Sequence, residues 1–219
     1  SQGMKTLVLD LQGNGGGLLN TAVEMADEFL SGDKLLVYTE GRSFPRKEDH
    51  ADPNKTGLFE KGKLIILVDE SSASASEIVS GAIQDWDRGL IVGRRTYGKG
   101  LVQRPIDLSD GSQIRLTIAR YYTPSGRFIQ KPYEDVESYR SDILDRYEHG
   151  EFMSQDSINF PDSLKRATLL KKRTVFSGGG IMPDYFVPLD TNGTSPYFSS
   201  IVRGGHINRY SLTYVNENR

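Results

Sequence analysis

The chain has 219 residues, of which 37% are hydrophobic and 26% charged, and its formal net charge is -2. A chain of this length buries roughly 70% of its unfolded surface and can close a packed core, and 27 basic against 29 acidic residues leave no cationic excess for nucleic-acid phosphates. The absence of cysteine removes thiol nucleophiles, thiolate metal sites and disulfides together.

Residues 1–5 lead almost at once into an apolar strand at 6–10, so the chain is expected to begin inside a domain, as an excised segment does. A Gly-rich turn at 13–17 and a helical pattern at 18–30 complete a strand, loop, helix unit. Residues 34–39 read as a second strand, and 42–57, polar and charged with Pro45 and Pro53, as an exposed loop. Leu64-Ile65-Ile66-Leu67-Val68 is an unbroken apolar run of strand length, expected to be buried on both faces of a sheet. Beyond it Ala75, Ile78, Val79, Ala82, Ile83 and Trp86 recur with the period of an amphipathic helix. Thus the unit repeats.

Strands are predicted at 90–93 and 112–122, the latter alternating through Ile114, Leu116 and Ile118. Residues 133–147 are rich in charge and aromatics with little periodicity until Val175, and read as an extension of the same domain rather than a separate one. Gly178-Gly179-Gly180 opens a tight turn into 181–187, and the polar, aromatic residues from Pro196 onward suggest no element. One core over 1–195 is expected, with 196–219 an extension or the start of a further segment.

No apolar run approaches the roughly 20 residues of a membrane span, and 1–5 lack the charged start and apolar stretch of a secretory signal. His50, His149 and His206 are isolated from one another and from carboxylate pairs at ligand spacing, so neither a metal nor a cofactor is expected.

Three motifs carry chemistry. Ser71-Ser72-Ala73-Ser74-Ala75-Ser76-Glu77 lies between a buried strand and a helix start, where unpaired N–H groups and the helix dipole favour a developing oxyanion. The competing reading is a helix cap, since Ser74 with Glu77 three residues on has capping-box spacing. In Tyr97-Gly98-Lys99-Gly100-Leu101-Val102-Gln103 a lysine is fenced by glycines before a strand, which lets the backbone pack closely and could push the lysine inward; a solvated turn lysine is the competitor. Asp10-Leu11-Gln12-Gly13-Asn14-Gly15-Gly16-Gly17 can form an anion nest or simply a flexible turn. A dinucleotide fingerprint fails there, because Leu18 stands where the last Gly or Ala belongs, and no Gly-Lys-Ser/Thr follows to make a P-loop.

In this order and spacing the motifs resemble those of the tail-specific, or carboxyl-terminal processing, proteases: a strand ending in Asp-Leu-Arg-x-Asn-x-Gly-Gly, a Ser-Ala-Ser-Ala-Ser-Glu segment, and Gly-Lys-Gly-x-x-Gln. The resemblance is strong over about 4–130 and weaker over 178–187. It implies an α/β fold built as a spiral of strand, turn and helix units, like that of crotonases and the Clp protease. Mapped onto this chain, it implies Ser74 as nucleophile and Lys99 as general base, with Gln103 orienting the base and Asp85 matching a carboxylate of disputed importance. The separation of the pair, 99 − 74 = 25, also matches. Two positions depart: Gln12 replaces the usual arginine, and Gly15 the usual proline. The family places a PDZ domain and a helical segment before the core, so the chain is expected to be the core without them.

An ordinary lysine, with pKa about 10.4, is neutral about once in a thousand at pH 7.4. Burial that lowers this by roughly 3 units would make Lys99 a competent base. Ser74 would then attack a peptide carbonyl, with the oxyanion held by the N–H groups of Ala75 and Gly16, each contributing on the order of 3 kcal/mol. Expected partners are proteins or peptides recognised near their C-termini, and the expected location, from the resemblance, is the bacterial periplasm or cell envelope. The alternatives are a crotonase-like acyl-CoA enzyme, a non-catalytic peptide-binding module, or a Ser-His-Asp triad, which would need one of the three histidines.

Overall fold

The computed structural model describes residues 3–191 and 195–218, so the ends of the expected core and extension at 1–2, 192–194 and 219 lie outside the described residues. The chain divides into two compact units, Ser1–Pro188 and Leu189–Arg219.

In the first unit, β1 (Thr6–Asp10), β4 (Lys63–Val68), β5 (Leu90–Gly93) and β10 (Tyr185–Phe186) form a parallel sheet in the order β1-β4-β5-β10. A second, antiparallel sheet is ordered β3-β2-β7-β6, from β2 (Leu35–Gly41), β3 (Phe44–His50), β6 (Leu101–Asp107) and β7 (Gln113–Tyr122). Helices α1 (Leu19–Asp27) and α2 (Ala75–Asp85) follow β1 and β4, so two strand, loop, helix units lie side by side, Val8 opposite Ile65 and Leu9 opposite Ile66. The fold is mixed α/β, as expected.

Helix α2 sits at the centre. Every residue from Ser76 to Asp85 is buried, not only the apolar stripe, and the helix packs on α1 and β2. Ile78, Val79, Ala82 and Ile83 join Ile66, Val68 and Ile91 in the core, each large aliphatic contributing about 1.5–3 kcal/mol by leaving water. The polar side of the helix tolerates burial because most of its groups are bonded, Gln84 Oε1 being a buried oxygen of the helix without a partner among the described residues. Ser80 Oγ donates to Ser76 O at 2.7 Å, and Gln84 Nε2 to Met182 O at 2.8 Å.

Three expectations change. Strand β4 buries Leu64, Ile66 and Val68, while Ile65 and Leu67 are only half-covered, so one face of the sheet is fully packed and the other partly open. Residues 42–57 are not all loop: Phe44–His50 is an edge strand paired with β2. Its charged residues fit an edge, where both faces meet water. The extension contains α3 (Val136–Glu148), two single-turn 3₁₀ helices, and a hairpin of β8 (Lys165–Ala167) and β9 (Thr174–Phe176). Arg146, near the end of α3, is anchored by Glu151 at 2.8 Å and by the carbonyls of Arg95 and Thr96.

The second unit is a pair of helices, α4 (Pro196–Arg203) and α5 (His206–Glu217). Ser195 caps α4 by accepting the Phe198 N–H at 3.0 Å, and Gly205, at φ 64°, separates the two.

Candidate active site

Adjacent parallel strands set their carboxyl ends side by side, so loops leaving those ends must meet. The Gly-rich loop leaves β1, the serine segment leaves β4, and residues 94–100 leave β5. Parallel pairing thus brings three motifs that are distant in sequence to one edge. The first two loops are joined by hydrogen bonds: Ala73 N–H and Ser76 Oγ both donate to Asn14 O (3.0 and 2.9 Å), Ser72 Oγ to Leu11 O (2.7 Å), and Gly13 N–H to the Asp69 carboxylate (3.0 Å). Gly16, at φ +92°, fits closest; a Cβ there would lie 2.5 Å from Ala73 O and 2.8 Å from Ser74 Cβ.

Ser74 occupies the N-cap of α2 with φ 56° and ψ -115°, a conformation that L-residues rarely adopt. Such strain at a strand-to-helix turn is characteristic of residues held for function. Glu77 returns to the Ser74 N–H (2.9 Å), the carboxylate half of a capping box, while the Glu77 N–H bonds the Ser74 carbonyl (2.9 Å). The helix start is therefore closed through backbone groups.

Glu77 does more than cap. Fully buried, it also accepts from Lys99 N–H (2.8 Å), Gly98 N–H (2.8 Å) and Thr96 Oγ1 (2.5 Å). One carboxylate thus pins both the nucleophile and the lysine segment. Burial raises its pKa from an ordinary 4.5 to about 7, against the pull of these four donors. From the opposite side the buried Tyr121 hydroxyl donates to the carbonyls of Lys99 and Ser74, the latter at 3.3 Å. Sequence reasoning gave Glu77 only its capping role, because its other partners lie about twenty residues on, and no local signal marks Tyr121.

Ser74, Ala75, Lys99 and Gln103 line one cavity of about 400 Å³, with Gly17, Leu18 and Ile78 contributing apolar wall. Ala75 N–H has no acceptor among the described residues, leaving it free to face an oxyanion. Gly16 N–H, expected as a second donor, is instead turned onto Asn14 Oδ1 at 2.9 Å in a local Asx turn. Lys99 is exposed rather than buried, and no hydrogen bond joins it to Ser74 or to Gln103, itself exposed. The flanking glycines explain this. Gly98 packs on Gly180 and Lys131, and Gly100 on Gln130, so it is the backbone that is driven inward while the side chain stays at the cavity mouth.

Asp85 is remote from this cavity. It is fully buried and paired with Arg127 at 2.6 Å, and it accepts Ser125 N–H at 2.9 Å, a role in cohesion. Neither His50 nor His149 lines the cavity. His50 is paired with Asp33 and Glu48, and His149 Nδ1 lies 2.6 Å from Asp145 O. Among the described residues no group of three potential ligands could hold a metal ion, and no helix is long and apolar enough to cross a membrane.

The chain is 44% identical over 129 residues to a carboxy-terminal-processing protease of Bartonella bacilliformis, covering 58% of this chain and 29% of that one. It is 43% identical over 130 residues to the chloroplastic C-terminal processing peptidase of Tetradesmus obliquus, covering 59% and 27%. Among solved structures, the photosystem II D1 C-terminal processing protease superposes with a TM-score of 0.54 at 43% identity, covering 59% of this chain and 33% of the other. The chain thus spans between a quarter and a third of the length of these relatives. Residues 1–138 match the model of peptidase family S41, and that stretch holds the serine segment, the lysine segment, the Gly-rich loop and the cavity they enclose; the chain belongs to that family.

Proposed function

We propose that this chain carries the core of a serine endopeptidase that cleaves protein substrates near their C-termini, with Ser74 as nucleophile and Lys99 as general base. The observation that carries this reading is the convergence of a strained Ser74 and Lys99 on one cavity, with both backbones held by Glu77. Lys99 takes the hydroxyl proton as Ser74 Oγ attacks the peptide carbonyl, and returns it to the leaving amine as the C–N bond breaks. Water, activated by the same amine, then hydrolyses the ester. A peptide lying across the cavity takes Lys99 out of water, supplying the desolvation that its exposed position lacks. Gln103, which lines the same cavity, is the candidate to hold the amine. Ala75 N–H is the first oxyanion donor, and Gly16 N–H the second, exchanging the neutral Asn14 oxygen for a charged acceptor, which binds more strongly.

In this reading residues 1–195 are the peptidase core, and the location is the periplasm or cell envelope, the setting that the family resemblance implies for a bacterial member; a chloroplastic relative matches at similar identity. The test is acylation by an activated peptide ester followed by tandem mass spectrometry. A peptidyl group on Ser74, formed at least a thousandfold more slowly in Lys99→Ala, is expected. An adduct on another residue, or an unchanged rate in Lys99→Ala, refutes the assignment. A binding-only module would take up the peptide without forming the ester, and a crotonase-like enzyme would bind CoA and need neither residue.

A further inference from the structure

The cavity that holds Ser74 and Lys99 contains a second cation. Arg115, on β7, lines it together with Gln103, Pro105 and Gln113, and no Asp or Glu is among its lining residues. The buried and half-buried arginines Arg94, Arg95, Arg127 and Arg173 are paired with Glu70, Glu151, Asp85 and Asp87, so their charges are already compensated, whereas the lining of this cavity supplies Arg115 with no such partner. Arg115 is exposed and, among the described residues, its side chain makes no hydrogen bond or ion pair. A guanidinium is a rigid fork of donors matched to the two oxygens of a carboxylate. The wall of a reaction cavity therefore presents an unused carboxylate receptor.

Its position sets a distance. The β6–β7 ladder pairs Arg115 with Pro105, and Pro105 is four residues (105 − 101) along β6 from Leu101, which lines the same cavity two residues after Lys99. At about 3.3 Å per residue that separation is about 13 Å, the span of roughly four residues of extended peptide. We infer that Arg115 is a specificity-determining residue that binds a carboxylate of a peptide whose scissile bond is placed at Ser74, at a point on the cavity wall about 13 Å along β6 from Leu101. The carboxylate is the terminal α-carboxylate or an acidic side chain at the same register. This inference deepens the peptidase reading and rests on it for the identity of the ligand as a peptide.

The test uses Ser74→Ala protein, which binds without turnover, and one fluorescein-labelled peptide in three forms: free C-terminal acid, C-terminal amide, and an amide ending in glutamate. The acid is expected to bind about tenfold more tightly than the plain amide, with the gap narrowing at high salt as expected of an exposed ion pair. Arg115→Gln should collapse the gap to about onefold, and Arg115→Lys should retain part of it. A gain confined to the acid assigns the site to the chain end, and an equal gain for the glutamate amide assigns it to a side chain; either supports a carboxylate subsite. Equal affinity for all three forms, no binding of any, or a gap that survives Arg115→Gln overturns it. Hydrolysis by the Ser74-containing protein separates this inference from the reading beneath it. Equal cleavage of acid and amide removes the subsite and leaves the peptidase, whereas a tenfold binding gap without cleavage keeps the subsite and removes the peptidase.

Discussion

Replacing Glu77 with glutamine separates the electrostatics of the carboxylate from its shape. The folded protein holds the Glu77 proton up to about pH 7, whereas an unfolded chain releases it near 4.5. The stability this group contributes is therefore complete below about pH 4.5 and is lost as the pH rises through about 7. A difference of about 2.5 units corresponds to about 3 kcal/mol, of which roughly 2 to 3 falls between pH 5 and pH 8. Glutamine does not titrate. Its single oxygen can still serve Ser74 and Lys99, and its amide can face Thr96, which leaves the Gly98 N–H unpaired at a cost of about 1–3 kcal/mol. Urea unfolding of both proteins at pH 5 and pH 8 measures the balance. The parent should exceed Glu77→Gln in stability at pH 5, and that advantage should shrink by about 2 to 3 kcal/mol at pH 8. An advantage that is the same at both pH values refutes the assignment of a buried, raised carboxyl.

Glu77→Ala frees both site segments at once, and kcat should fall by about 100-fold, the effect of a displacement of about 1 Å, with far-ultraviolet circular dichroism retained; unaltered kcat would show that the shared carboxylate positions nothing. Tyr121→Phe removes the hydroxyl that bridges the carbonyls of Ser74 and Lys99, so kcat should drop about tenfold with stability down by about 1–3 kcal/mol, and a fully active variant would contradict this. Gly16→Ala forces a Cβ to within 2.5 Å of Ala73 O; peptidase activity should be lost while thermal unfolding moves by only a few degrees, and retained activity would show that the close fit of the two loops is dispensable. Asp85→Asn leaves the fully buried Arg127 without its counter-charge and should cost about 3–5 kcal/mol, read as a lower urea midpoint; a loss below about 1 kcal/mol would remove Asp85 from the cohesive role given to it.

The parts legible in the sequence are those where one physical signal dominates. Five consecutive aliphatic residues at 64–68 form a strand, and the apolar period from Ala75 to Trp86 forms α2, because burial drives both. The three motifs meet because each follows a strand of one parallel sheet. Phe44–His50 was not legible: an edge strand with two wet faces needs no apolar alternation. Nor was α3, whose Val136 and Leu144 are more than half exposed and whose anchor is an arginine rather than an apolar stripe. The glycines beside Lys99 do signal close packing, but of backbone rather than side chain, so the expected burial of the lysine does not follow. The second role of Glu77 depends on partners from residues 96–99, which only the folded chain brings near.

The central claim is that Ser74 and Lys99 act as one catalytic pair. It is tested most directly by the rate at which the parent, Ser74→Ala and Lys99→Ala proteins cleave an unfolded protein substrate under identical conditions. Cleavage by the parent with losses of about 10⁴ to 10⁶ in kcat for each variant is the predicted result. Undiminished cleavage by either variant would contradict it.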